Sequence, residues 1–235
     1  MIKLSNYYWE LRYRIRKWLW DRASKSSTIN GIALMFHHVT DKHVDINESC
    51  QCTINHFKQV LEKIQKEGRI FVSCDKMVSI IRSKEEVPFA VVTFDDVPDN
   101  FYINAYPILK KQEIPFVLFI TSSFVGKPGY LTKEQLQELD KDALCTIGAH
   151  TISHPMLRRV KDSYYEISES KKYLEELLLH PINYFAYPFG RQSSVSGRIK
   201  KEVRMAGFTC AFGTIQSKIS DTSTRNVYYI PRMVL

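Results

Sequence analysis

Two short segments carry the side chains best suited to chemistry. Asp95 and Asp96 directly follow an apolar run at 89–94, and His150 and His154 stand four residues apart. Adjacent carboxylates at the end of a buried strand are costly unless they are paired or bind a cation. Two imidazoles at this spacing converge on one cation if the segment is helical or tightly turned. Alone, the aspartate pair is equally compatible with a solvated loop, and the histidine pair is more often found on a surface helix. Together, each at a strand end, they predict a metal site.

The elements around these pairs are predicted to place them at one edge of a sheet. Apolar runs predict buried strands at 31–36, 89–94, 115–120, 145–149, 184–187 and 207–212, with a last short strand within 227–235. Helical patterns separate them, and this alternation is typical of parallel βαβ units in an α/β fold. Such folds carry their sites at the carboxyl ends of the strands.

The composition fits one globular domain with a basic amino-terminal extension. The chain has 235 residues, of which 44% are hydrophobic and 25% charged, and a formal net charge of +8. Residues 1–30 hold seven Lys or Arg and only two acids, which is more than half of that net charge. The remainder is mildly basic, so nucleic acid is not a predicted partner. We divide the chain into residues 1–29, a helix and linker, and residues 30–235, the main domain.

The amino-terminal helix is amphipathic. Its apolar stripe is formed by Leu4, Tyr7, Tyr8, Leu11, Ile15, Trp18 and Leu19. Basic and aromatic residues in one helix favour an anionic membrane surface as a partner through residues 4–20, and packing on the domain or on a second subunit is an equal alternative. With neither a secretory signal nor an apolar run of about 20 residues, the predicted location is cytoplasmic or peripheral at the cytoplasmic face of a membrane.

The cysteines do not form a recognisable framework. There are five, an odd number, and Cys50 and Cys52 are separated by one residue, which is not the spacing of a zinc knuckle. We interpret all five as structural or incidental thiols of a reducing compartment.

The two chemical segments resemble motifs of a known family. Thr93-Phe-Asp-Asp96 and His150-Thr-Ile-Ser-His154-Pro155 are similar to the first two motifs of the NodB-homology polysaccharide deacetylases, carbohydrate esterase family 4. The segment Phe185-Ala-Tyr-Pro-Phe-Gly190 resembles the third motif in a bacterial form. Weaker similarity at 36–39 and 230–233 extends the resemblance over roughly residues 30–235.

This resemblance implies a fold and a set of roles. The fold is a distorted (β/α) barrel with fewer than eight strands, here with an extra amino-terminal helix. The implied roles are Asp95 as catalytic base, Asp96, His150 and His154 as metal ligands, the Phe189 backbone N–H as oxyanion donor, and Tyr187 and Pro188 as substrate contacts. The metal is Zn²⁺ or another late divalent transition metal.

The implied reaction is hydrolysis of the N-acetyl amide of an amino sugar in an oligo- or polysaccharide. Acetate is released and a free amine is left on the sugar. The expected partner is an N-acetylated saccharide, for which a lipid-linked form is one option, and the expected process is the synthesis of a cell-surface polysaccharide.

The chain departs from the family pattern in three places. Val97 replaces the glycine that usually follows the aspartate pair, and Ala186 stands where an arginine often orients the base. Arg232 and Arg191 are candidates for that missing arginine. The usual carboxy-terminal Leu-x-His, whose histidine protonates the leaving amine, is absent.

His37, at a predicted strand end, is our candidate for the missing acid, and a hydrogen-bonded structural histidine is the alternative for His37 and His38. His43, His56 and His180 are expected at the surface. Two other functions stay open on the sequence alone: a carbohydrate-binding pseudoenzyme on the same fold, and an amidase or deformylase that acts on another amide.

Overall fold

A computed structural model describes residues 2–42 and 51–234, with side chains from residue 9 onward; His43 and Cys50 lie outside the described residues. The strands are β1 (Gly31–Phe36), β2 (His38–Val39), β3 (Gln51–Cys52), β4 (Ile70–Phe71), β5 (Phe89–Asp95), β6 (Phe116–Ile120), β7 (Cys145–Ala149), β8 (Tyr184–Ala186), β9 (Cys210–Phe212) and β10 (Met233–Val234). The α-helices are α1 (Ile2–Ser24), α2 (Ile54–Lys66), α3 (Cys74–Ser83), α4 (Tyr106–Lys111), α5 (Lys133–Asp140), α6 (Ser163–Leu178), α7 (Gly197–Met205) and α8 (Asp221–Arg225).

A parallel sheet in the order β10-β1-β5-β6-β7-β8-β9 forms the centre of the molecule, and β4 pairs with β5 beside it. Strands β1, β5 and β6 are buried at every residue, as expected for a parallel sheet covered on both faces. The segment 230–234 brings the two edges of the sheet together, because Ile230 pairs with Phe212 while Met233 pairs with Leu34. The expected distorted (β/α) barrel is confirmed.

The differences from the predicted elements are local. A predicted strand over 227–235 is instead a single helical turn, Val227–Tyr229, followed by the two-residue β10. The polar stretch after His37 contains the short parallel pair β2–β3, and no apolar run in the sequence predicts these two strands. A π-helical segment, Phe101–Ala105, runs directly into α4, and Pro107, which has no N–H to donate, lies just after this junction.

Helix α1 lies on the barrel through its polar and aromatic side rather than its apolar stripe. The Trp20 indole N–H donates to the carbonyl of Lys218 at 3.1 Å, and the Tyr13 hydroxyl accepts from the Gln216 amide at 3.3 Å. The described part of the stripe faces away and is 46–56% exposed; it consists of Leu11, Ile15, Trp18 and Leu19. The side chains of Leu4, Tyr7 and Tyr8 lie outside the described residues. The division at residues 29 and 30 stays a prediction.

One strand position tolerates no side chain at all. A Cβ atom at Gly148 in β7 would lie 2.6 Å from the Phe119 ring and 2.9 Å from the carbonyl oxygen of Tyr184. We expect Gly148→Ala to lower the free energy of unfolding by about 1–3 kcal/mol through overpacking. Gly197→Ala is the matched control, because its Cβ would meet open space at the start of α7, and it should be neutral or stabilise by up to about 1 kcal/mol. Urea denaturation of both variants checks this, and equal effects would contradict it.

Candidate metal centre

The carboxyl ends of β5 and β7 bring the four predicted residues together. Asp95 ends β5 and Asp96 follows it, while His150 follows β7 directly. One ligand atom from each of Asp96, His150 and His154 lies within 4.8 Å of the others. His154 Nε2 is 3.8 Å from Asp96 Oδ2. The two motifs are far apart in the sequence, but in the sheet only β6 lies between β5 and β7.

The orientation of His150 is set by a backbone carbonyl. Its Nδ1 lies 2.8 Å from the carbonyl oxygen of Ala186, and a carbonyl oxygen can only accept. The proton therefore sits on Nδ1, and the Nε2 lone pair faces Asp96 and Asp95. Burial is the main cause that lowers the pKa of His150, although the two carboxylates oppose it. A neutral imidazole with a fixed tautomer is the form that binds a metal.

Asp96 is oriented by a residue that the sequence patterns did not single out. The Thr121 hydroxyl, at the end of β6, donates to Asp96 Oδ1 at 2.7 Å. This leaves Oδ2 directed towards His154. Thr121 directly follows a predicted apolar strand, and that position was the available signal in the sequence.

The site sits on strained backbone. Five of the eight described non-glycine residues with positive φ belong to it: Asp96, Val97, Thr151, His154 and Phe189. Positive φ is most unusual for a β-branched residue such as Val97, which is also buried, at 1% exposure. Clustered strain of this kind is typical of functional sites, where the surrounding structure holds it in place.

The donor set fits a divalent metal ion. Two imidazole nitrogens and one carboxylate oxygen suit Zn²⁺ and other late divalent metals. Atoms that both bind zinc at about 2.1 Å lie at most about 4.2 Å apart. A set spread over no more than 4.8 Å needs only a small contraction to reach that limit.

Asp95 forms a buried ion pair with Arg232. Arg232 Nη1 lies 2.6 Å from Asp95 Oδ1, and Nη2 lies 2.7 Å from Oδ2, so the contact is bidentate. Arg232 is fully buried and also donates to the Thr93 hydroxyl and to the carbonyl of Gly213. Of the two candidates for the missing arginine, Arg232 therefore occupies this place, whereas Arg191 is exposed.

The ion pair controls the charge of Asp95. Burial alone would raise the pKa of this carboxyl, but the Arg232 guanidinium, with smaller contributions from His150 and His37, outweighs it. The pKa of Asp95 is thus held well below its usual range. Asp95 Oδ2 lies 3.9 Å from His150 Nε2, so the ionised carboxylate borders the candidate metal site.

Phe189 lies at the rim of the site, 52% exposed, with its ring centroid 4.9 Å from that of His154. Its backbone N–H donates no hydrogen bond to any described residue, whereas its carbonyl accepts from the Thr214 hydroxyl. The next carbonyl, of Gly190, accepts from the Tyr229 hydroxyl at 2.7 Å. The loop at 189–190 is thus held through its carbonyl groups, and the Phe189 N–H stays available as a hydrogen-bond donor.

The remaining candidates lie in different surroundings. Burial is the largest cause that acts on the pKa of His37 and lowers it, while the charges of Asp95 and Asp96 oppose this shift. The Nδ1 atom of His38 lies 2.8 Å from the Asn100 amide nitrogen, away from this set. Tyr187 is buried with its hydroxyl bonded to the carbonyl of Tyr228, and Pro188 is buried too, so their predicted contact with substrate stays untested.

Known proteins share both sequence and fold with this chain. A family model described as polysaccharide deacetylase matches residues 82–211, just over half of the chain. A poly-beta-1,6-N-acetyl-D-glucosamine N-deacetylase of Staphylococcus aureus (strain NCTC 8325 / PS 47) is 30% identical over 159 residues, which cover 61% of this chain and 53% of the relative. The chain spans about half the length of the curated relatives it matches.

Two solved structures are similar at a TM-score of 0.75 each. One is the Streptococcus pyogenes deacetylase PplD, 24% identical, with 87% of this chain and 92% of that chain covered. The other is IcaB from Ammonifex degensii, 22% identical, with 88% and 91% covered. At these identities the likeness shows the fold.

The ion pair predicts how stability depends on pH. We expect Arg232→Gln to lower the free energy of unfolding of metal-free protein by about 3–5 kcal/mol at pH 7, because it leaves a buried carboxylate without its cation. The loss should shrink as the pH falls towards about 4, because the unpaired carboxyl of the variant takes up a proton, whereas the native carboxylate stays ionised and keeps its stabilisation over this range.

Chemical denaturation at pH 7 and pH 4.5 measures the loss of unfolding free energy and its change with pH. Arg191→Gln is the control, because Arg191 is exposed. A deficit for Arg232→Gln that is the same at both pH values would show that lost packing, and not the charge on Asp95, causes it.

Proposed function

The chain belongs to the polysaccharide deacetylase family, and we propose that it hydrolyses the N-acetyl amide of an amino sugar within an oligo- or polysaccharide, in a metal-dependent reaction that releases acetate. One observation carries this proposal. The two-histidine, one-carboxylate set and an ionised Asp95 lie together, and Phe189, whose amide is unused, lies beside His154.

Asp96, His150 and His154 are the proposed ligands. A divalent cation held there would make a bound water more acidic and polarise the amide carbonyl. His150 suits this role because the Ala186 carbonyl fixes its tautomer, and Asp96 suits it because Thr121 occupies its other oxygen.

Asp95 is the proposed general base. Its depressed pKa keeps the carboxylate ionised at neutral pH, so it is free to accept a proton from attacking water. The bidentate contact with Arg232 also fixes the direction of both oxygens. A base of such low proton affinity is weak, so the proposal requires an attacking water that is itself acidic.

The other steps fall to Phe189 and His37. As water adds to the amide, the carbonyl oxygen becomes an oxyanion, and the Phe189 N–H is the donor placed to stabilise it. His37 is the proposed donor of the proton that the leaving amine requires. Because burial lowers its pKa, His37 is mainly unprotonated at neutral pH, so the proton that it donates is the one that Asp95 takes from the attacking water.

The substrate class follows from the family and from the rim of the site. The relatives are named as deacetylases of poly-beta-1,6-N-acetyl-D-glucosamine, a polymer of N-acetylated sugar. Phe189 presents a half-exposed aromatic ring beside His154, and such rings pack well against the apolar face of a sugar. An N-acetylated saccharide of the cell surface, free or lipid-linked, is the proposed substrate.

The decisive variants separate metal binding from catalysis. We expect the protein to bind one equivalent of zinc, His154→Ala to lose it, and Asp95→Asn to keep it while acetate release falls by about 10²–10⁴-fold, as for loss of a general base. Metal analysis and acetate release from N-acetylglucosamine oligomers measure the two effects. His56→Ala, an exposed histidine on α2, is the control for histidine loss.

Each alternative function has its own outcome. Protein that binds zinc but releases no acyl group from any saccharide supports a binding protein on this fold. Formate release from N-formyl compounds, without acetate release, identifies a deformylase. Either result would overturn the proposal.

We also propose that the outward side of α1 binds an anionic membrane surface. The stripe of Leu11, Ile15, Trp18 and Leu19 is exposed although the helix is fixed to the barrel by its other side. Arg14 and Arg16 are exposed beside it, and the Arg22 guanidinium lies 5.4 Å from the Trp18 ring. Apolar and aromatic groups among cations match the boundary of anionic lipid headgroups and acyl chains.

No described helix is both long and apolar enough to cross a bilayer. The Trp9 ring at the other end of α1 contacts the Arg158 guanidinium at 5.1 Å, and Arg158 donates to the carbonyl of Ser193. Both belong to loops that follow His154 and Phe189. A membrane bound by α1 would thus lie near the mouth of the site, where a lipid-linked saccharide would arrive.

We expect Trp18→Ser with Leu19→Ser to weaken binding to phosphatidylglycerol-containing vesicles at least tenfold, since each buried side chain of this size contributes about 1.5–3 kcal/mol. Leu179→Ser is the matched control, because Leu179 is 88% exposed at the end of α6. Vesicle sedimentation measures the binding of each variant. Unchanged binding would contradict the proposal, and a dimer that only the α1 variant dissociates would identify a second copy as the occupant.

A further inference from the structure

The loop that holds both histidines is fixed by a carboxylate on α6. Glu166 Oε2 accepts from the backbone amides of Ile152 and Ser153 at 3.0 Å each, and Oε1 accepts from the Ser153 hydroxyl at 2.7 Å. Glu166 lies in the first turn of α6, outside every motif discussed above. One side chain thus satisfies three donors between the two proposed metal ligands.

The opposite side of the same loop is held by β6. The amides of Ser122 and Ser123, just after this strand, donate to the carbonyls of Thr151 and Ile152 at 3.1 and 2.9 Å. The loop therefore lies between two supports, with its carbonyls bonded to one and its amides to the other. Thr151 and His154 both have positive φ, a conformation that the loop keeps only while both supports hold it.

The two histidines depend on this loop to different degrees. His150 has its own anchor, the hydrogen bond from its ring to the Ala186 carbonyl. The His154 ring makes no hydrogen bond to any described residue, and only its backbone amide is bound, to the Thr151 hydroxyl at 3.1 Å. The place of the His154 imidazole is therefore set by the backbone at 151–154.

We propose that Glu166 is a positioning residue for the metal site, which holds the 150–154 loop so that His154 faces Asp96 and His150. This inference rests on the proposed metal-dependent function. Groups that orient metal ligands typically change metal affinity by about 10–100-fold when they are removed. Glu166 bonds only to Ile152 and Ser153 and to none of the ligand atoms, so its removal should raise the zinc concentration required and leave turnover at saturating zinc nearly unchanged.

The test compares zinc affinity in four forms of the full chain. Competition with a chromophoric chelator should give a dissociation constant that is about 10–100-fold higher for Glu166→Ala than for the native protein. Glu166→Gln keeps an oxygen for the two amides and an NH₂ for the Ser153 hydroxyl, and should restore affinity to within about threefold. Glu169→Ala, three residues further along α6, is the control, because Glu169 bonds to no described residue.

Two further measurements distinguish positioning from general stability. Amide hydrogen exchange at Ile152 and Ser153 should accelerate in metal-free Glu166→Ala, while exchange in β5 and β7 stays unchanged. If Glu166→Ala does not fold, Glu166→Asp replaces it, since it keeps the charge but is one methylene too short for the contacts.

The outcomes separate this inference from the function on which it rests. Zinc affinity in Glu166→Ala equal to that in Glu169→Ala overturns the positioning role and leaves the proposed function intact. A native protein that binds no zinc overturns the proposed function instead.

Discussion

The ion pair between Asp95 and Arg232 is the contact on which the rest of the site depends. Both charges are out of water, which costs several kcal/mol for each ion, and only a bidentate geometry with additional hydrogen bonds offsets that cost. Arg232 meets this condition through Asp95, Thr93 and Gly213, and it lies 5.5 Å from the Phe119 ring inside the barrel. The same contact ties the end of β5 to the segment 230–234, which joins the two edges of the sheet. The contact that helps to close the barrel is therefore the same contact that keeps the proposed base ionised.

Much of the fold and the centre of the site could be predicted from the sequence, for a specific physical reason. Asp95, Asp96 and His150 each follow an apolar run, and parallel strands necessarily present their carboxyl ends at one edge. What could not be predicted are contacts between distant segments with no pattern of their own. From the sequence, Arg232 and Arg191 are both candidates for the arginine that contacts Asp95, and only the closed barrel shows that Arg232 makes this contact. Thr121 acts through one hydrogen bond to Asp96 and Glu166 through three to the 150–154 loop, and hydrophobic periodicity does not predict such contacts.

Helix α1 illustrates a different limit of sequence reasoning. Its apolar stripe predicts that some surface covers it, and packing on the domain was one of the alternatives. In the structure the helix is attached through Tyr13 and Trp20, and the described stripe faces outward. Hydrophobic periodicity identifies the apolar face of a helix, but polar contacts on another side of the helix determine which way that face points.

The position of Arg232 in the chain has a consequence for synthesis. All three proposed ligands are complete at His154, yet the partner of Asp95 is added 78 residues later, which takes about 4–16 seconds at usual translation rates. During that interval a buried Asp95 would be an uncompensated charge, so the end of β5 cannot settle into its final place. A nascent chain therefore emerges with the proposed site unassembled, and the site forms only after Arg232 has left the ribosome.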